Sequence, residues 1–145
     1  MVAGAVACVA IVGGCGGSAV DVAGPTHGPA ACRSLVEALP QHVAGQARRT
    51  VSPQGALAGA WGDPPIVLRC GVPEPAALRP SSACAVVDHV GWFVQELDEG
   101  YRFSTIGRAT TVQVEVPYDY QPAANALVDL AGAVRGSVPQ TEPCV

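Results

Sequence analysis

The reactive side chains of this 145-residue sequence are six cysteines, three histidines and eight arginines; there is no lysine. Cys15 closes the string Val12-Gly13-Gly14-Cys15, one aliphatic and two small residues ahead of a thiol. That is the arrangement of a bacterial lipobox. The small residues let the backbone lie extended in a peptidase cleft, and the thiol would take a diacylglyceryl thioether and become the new N-terminus. Setting aside Cys8 and Cys15 leaves Cys32, Cys70, Cys84 and Cys144. An even set in an exported domain points to disulfides. Four cysteines allow three connectivities, and sequence alone does not choose among them. Cys70–Cys84 is expected because both flank one Pro-rich loop, and Cys32–Cys144 because it would tie the two ends of the domain. Structural zinc would need a C-x₂₋₄-C spacing, which is missing.

Arg69 and Arg108 both stand beside glycine at strand ends, in the neighbourhood of Trp61 and Trp92. A guanidinium among aromatics recognises carboxylate or phosphate. The four residues are therefore a candidate ligand pocket for an anionic envelope component or partner peptide. The competing reading is structural, an internal ion pair with Asp63 or Glu115. A hydrolytic site would combine Ser81 or Ser82 with His89 and Asp88, but no nucleophile elbow surrounds either serine. Glu96, Asp98 and Glu99 cluster at a turn without the spacing of a calcium loop. His27 has no second ligand beside it. No catalytic residue, metal or cofactor is assigned.

These residues must be positioned by short elements. Cys32, Leu35, Val36 and Leu39 fall on one helical face, and Pro40 stops that helix. Gln41–Gly45 reads as a turn and Arg48–Val51 as a weak strand, with Arg48-Arg49 solvated. Ile66–Cys70 is a strand bounded by Pro64-Pro65 and Pro73. Ala85–Leu97 reads as one longer strand interrupted at Gly91. Asp98, Glu99 and Gly100 turn the chain into Tyr101–Ile106, where Tyr101, Phe103 and Thr105 share a face. Val112, Val114 and Val116 alternate with polar residues, as in a half-buried antiparallel strand. A second helix over Ala123–Arg135 carries Ala123, Leu127, Leu130, Ala131 and Val134 on one stripe. The expected fold is α+β: an antiparallel sheet of about four to five strands, disulfide-stapled, with both helices packed on one face.

Residues 1–14 are apolar or small and uncharged, the length of a signal-peptide core and too short to span a bilayer, which takes about 20 residues. A signal peptide carries positive charge ahead of its apolar core, and the first positive charge here is Arg33. The expected organisation is a signal peptide or lipoprotein anchor over 1–15, a flexible Gly/Ala/Pro-rich tether over 16–31, and a single extracytoplasmic domain over 32–145. A net charge of −4 without a basic patch speaks against nucleic acid.

The helix ending in Leu39-Pro40, the string Trp61-Gly62-Asp63-Pro64-Pro65-Ile66-Val67-Leu68-Arg69-Cys70-Gly71-Val72, then Trp92 and Gly107-Arg108 together resemble an actinobacterial exported family catalogued as domain of unknown function 3515. The resemblance covers about Cys32 to Val138. It implies an N-terminal membrane segment or lipid anchor and an extracytoplasmic domain, and brings no activity. The expected function is a non-enzymatic binding or scaffolding domain on the extracytoplasmic face of the cell membrane, with an envelope protein or cell-wall ligand as partner. The alternative is a cell-envelope enzyme, one acting on peptidoglycan.

Overall fold

A computed structural model describes residues 17–144; the lipobox cysteine Cys15 and the apolar segment before it lie outside the described residues. The chain is α+β with one large antiparallel sheet, two helices and two disulfides. The sheet has eight strands, more than the four to five expected, because several two- to four-residue strands extend it. Its N-terminal half is β2 (His42–Val43), β3 (Gln46–Arg49), β5 (Ala58–Trp61) and β6 (Ile66–Val72). Its C-terminal half is β7 (Ala85–Val87), β8 (Val90–Leu97), β9 (Gly100–Thr105) and β10 (Thr111–Pro117). The order β2-β3-β5-β6-β10-β9-β8-β7 makes two meanders joined at the β6–β10 seam. Of the residues expected to turn at Gln41–Gly45, His42-Val43 begin the sheet and Ala44-Gly45 make the turn into β3.

Period-two alternation sorts the side chains. Ile66, Leu68 and Cys70 of β6, Trp61 of β5, and Val112, Val114 and Val116 of β10 all enter one core with the two helices. The helices are α1 (Ala30–Ala38) and α2 (Ala124–Ser137). Leu35 of α1 and the expected stripe Leu127, Leu130, Ala131 and Val134 of α2 are buried there. Arg48 donates to the Leu39 and Val36 carbonyls at the end of α1, 3.1 and 3.2 Å away. It satisfies acceptors that a helix C-terminus leaves over. Arg48-Arg49 is therefore half-buried and structural, not the solvated pair expected.

The other face of β5 and β6 carries a second, small core of Ala58, Ala60 and Val67. It is covered by the segment expected to be a tether. β1 (Val20–Asp21) pairs in parallel with β4 (Val51–Ser52), and Val20 and Val22 are buried against the sheet. Arg49 donates to the Ser18 carbonyl at 2.8 Å, and the Leu57 amide to that of Pro25 at 2.8 Å. From Ser18 on, the chain is part of the domain. Two valines at alternate positions suffice for this despite the Gly/Pro-rich composition, since each buried aliphatic side chain contributes about 1.5–3 kcal/mol.

The disulfides also differ from the expected pairs. Cys32 at the first turn of α1 is bonded to Cys70 on β6, and Cys84 before β7 to Cys144 in the tail after α2. Cys70 and Cys84 flank one loop, yet Cys70 points into the core beneath α1 whereas Cys84 sits half-buried at the far end of the sheet. Proximity along the chain gave way to which face each strand residue presents.

Candidate functional site

The four residues nominated as a ligand pocket do not share one. Trp61 is fully buried on the helix-facing side, and its indole N–H donates to the Pro40 carbonyl at 2.9 Å. Trp92 is fully buried in the same core, edge-on to Phe103 with ring centroids 6.4 Å apart. Arg69 lies on the opposite face, opposite Ala58 in the β5 register and Gln113 in that of β10. Its Nε donates to the Val22 carbonyl and its Nη1 lies 3.5 Å from Glu115. Arg102 binds the same Glu115 oxygen through Nε and Nη2, at 3.0 and 2.9 Å. Arg69 thus makes one of the two internal ion pairs weighed for it. Sharing Glu115 between two guanidinium groups ties β6, β9 and β10 together across the seam.

Arg108 is different. It follows β9 on a turn at Gly107, whose φ of +68° a residue with a Cβ rarely adopts. The tail after α2 then runs back alongside: Arg108 bridges antiparallel to Gln140, the Ala109 amide donates to Pro139 at 2.9 Å and the Thr141 amide to Gly107 at 2.8 Å. Tail, turn and the β7–β8 hairpin enclose a cleft of about 280 Å³, lined by Val86, His89, Ile106, Arg108, Gln140 and Cys144 among others. Cys144 is latched to Cys84 across Gly91 of β8. A Cβ on Gly91 would run into the Cys144 sulfur and lie 2.9 Å from that of Cys84. Gly91 is therefore required for the approach of the disulfide, not for the strand interruption expected there.

The interruption falls instead at Asp88-His89, the two-residue turn between β7 and β8. Both have positive φ, 43° and 64°, as a hairpin turn of the primed type requires, although neither is glycine. Two arginines hold the turn. Arg135 of α2 pairs with the Asp88 carboxylate at 2.8 Å, and Arg108 Nη2 donates to the His89 carbonyl at 3.3 Å. Arg108 Nη1 donates to Val138 at 2.8 Å, while its buried Nε–H has no acceptor. Among the described residues Arg108 makes no ion pair. Burial, and secondarily the charge of Arg135, hold its guanidinium pKa below the ordinary value.

Two of the groups nominated for hydrolysis are engaged elsewhere. Asp88 is held by Arg135, and the Ser82 hydroxyl accepts from the Arg79 amide at 2.9 Å. At the other end of the C-terminal meander, a cleft of about 470 Å³ is lined by Pro64, Leu97, Asp98, Glu99, Tyr101 and Glu115 among others. Glu96 of the nominated acidic cluster accepts from the Tyr118 hydroxyl at 3.1 Å. Among the described residues no three His, Cys, Asp or Glu side chains are grouped to hold a metal.

Sequence reasoning found Arg108 but missed Gln140 and the part played by His89. The tail brings Gln140 to Arg108 and the β7–β8 turn brings His89; the Cys84–Cys144 pairing was the signal that would have placed the tail.

Residues 3–143 match the family described as "Protein of unknown function (DUF3515)", and the chain belongs to that family. No curated protein and no solved structure matches it.

Proposed function

Starting from that membership, we propose that the protein is an extracytoplasmic binding or scaffolding domain, held at the outer face of the cytoplasmic membrane by its N-terminal segment. One observation carries the reading: all four cysteines among the described residues are joined in two disulfides. Such bonds persist in oxidising compartments and are rare where glutathione and thioredoxin keep thiols reduced. A protein with a Cys15 lipid anchor would meet that environment directly. No helix among the described residues is long and apolar enough to cross a membrane, so the proposed anchor is the segment up to Cys15. Binding is favoured over catalysis because Asp88 and Glu115 are already committed to arginine partners.

Peptide mapping without reduction, on protein taken from the membrane fraction, tests this. The expected products are Cys32–Cys70 and Cys84–Cys144 linked peptides and an N-terminal peptide beginning at a diacylglyceryl-modified Cys15. Four free thiols in protein recovered from the cytosol overturn it; an intact, unmodified N-terminus removes the lipid anchor.

A further inference from the structure

We propose that the cleft beside the Cys84–Cys144 disulfide binds a carboxylate borne on a small apolar group, with Arg108 as its counter-ion. Of the five N–H donors of a guanidinium, Arg108 spends two on the carbonyls of Val138 and His89, and its buried Nε–H meets no acceptor. Among the described residues Arg108 has carbonyl partners but no carboxylate, and an anion with two acceptor oxygens would add charge-assisted hydrogen bonds at its remaining N–H donors. The two other arginines packed on the C-terminal meander each have a carboxylate: Arg102 has Glu115, and Arg135 has Asp88.

Charge counting selects the ligand. Arg135 is the nearest second cation, and Asp88 already neutralises it. One uncompensated positive charge matches a carboxylate better than a phosphate dianion. The walls select what the carboxylate is attached to. Most of the lining surface is polar, including an amide from Gln140 that can both donate and accept; Val86, Ile106, Pro143 and the sulfur of Cys144 supply the smaller, apolar share. Val86 stands 61 % exposed at the mouth, an apolar surface for the ligand's side group. A volume near 280 Å³ admits an acyl amino acid or the last residue of a peptide, not a folded partner.

The inference rests on the geometry of the cleft, not on the compartment, so either can fail while the other stands. The test is titration of the full oxidised chain with N-acetylvaline, read by ¹⁵N–¹H shifts of the Arg108 Nε–H and the Gln140 side-chain amide. Its carboxamide, N-acetylvalinamide, and inorganic phosphate are the parallel probes. Saturable shifts are expected with N-acetylvaline at a Kd of about 1 mM or below, and none with the carboxamide. Arg108→Gln is expected to weaken binding at least about tenfold, the loss of a charge-assisted pair. Arg108 also supports two backbone carbonyls, so Val86→Trp, which blocks the mouth and leaves every Arg108 hydrogen bond in place, decides if that variant does not fold; it is expected to weaken binding as much. Equal binding of acid and carboxamide, wild-type affinity in Val86→Trp, or saturation by phosphate with no response to N-acetylvaline each overturns the assignment.

Discussion

The two disulfides close loops of similar length, 38 and 60 residues, in very different surroundings. In the chain-entropy account each removes about 4 kcal/mol of unfolded-state freedom, because the effect grows only with the logarithm of loop length. Loop length therefore does not distinguish them, and burial does. Cys32 and Cys70 are fully buried where α1 meets β6, and their sulfurs are core atoms packed beside Leu35 and Leu68 in one cluster. Cys84 and Cys144 are half-buried at the rim, where the bond fastens the returning tail as one wall of the Arg108 cleft. The first bond is a structural joint that also fills space. The second shapes a surface. Equal covalent chemistry divides into stability and site construction according to what lies around the sulfur atoms.

Breaking the buried bond has the largest expected effect. Cys32→Ala with Cys70→Ala loses the entropic term and leaves a void, about 5 kcal/mol or more in denaturant unfolding, enough to abolish folding at 37 °C. The matching pair at the rim, Cys84→Ala with Cys144→Ala, is expected to cost at most about 4 kcal/mol, since no core packing is lost, and to abolish the N-acetylvaline response. If the two double variants lose equal stability, the contrast between them fails. Gly91→Ala sharpens it: a methyl against both rim sulfurs is expected to cost about 1–3 kcal/mol in the oxidised protein and much less once that bond is reduced. On the opposite face of the N-terminal half, Val22→Ala is expected to cost about 1–2 kcal/mol, whereas a loose tether would give no change. The smallest effect is alkaline. Burial raises the Tyr120 phenol above its ordinary 10.0, and the neutral hydroxyl donates to the Pro64 carbonyl at 2.7 Å. Its stabilisation is complete below pH 10 and is lost as pH rises through the raised folded-state value. Tyr120→Phe is expected to flatten that fall in a pH series of melting temperatures.

Periodicity made the interior legible. The Val112, Val114 and Val116 alternation, the α2 stripe and the Tyr101–Thr105 face all lie where the pattern puts them. Features set by long-range pairing were not legible. Asp88-His89 carries no glycine, so its left-handed turn is marked only by the weaker tolerance of Asp and His for positive φ, while nearby Gly91 suggests a break that its disulfide contact explains otherwise. Trp61 and Arg69 stand close in sequence beside the same strand, but opposite faces of the sheet separate an aromatic core residue from a surface ion pair. Of the candidate site, Arg108 alone was readable, as an arginine after a glycine turn. Its cleft depends on a tail that the disulfide and the backbone hydrogen bonds to the Gly107 turn bring near.

The bond from Arg49 to the Ser18 carbonyl fixes how far the folded body can stand from any anchor. An acylated Cys15 would stand three residue steps before that point, a reach of about 10 Å at full extension. A lipoprotein of this build would ride against the headgroups with almost no leash, so whatever it meets would have to come to the bilayer surface.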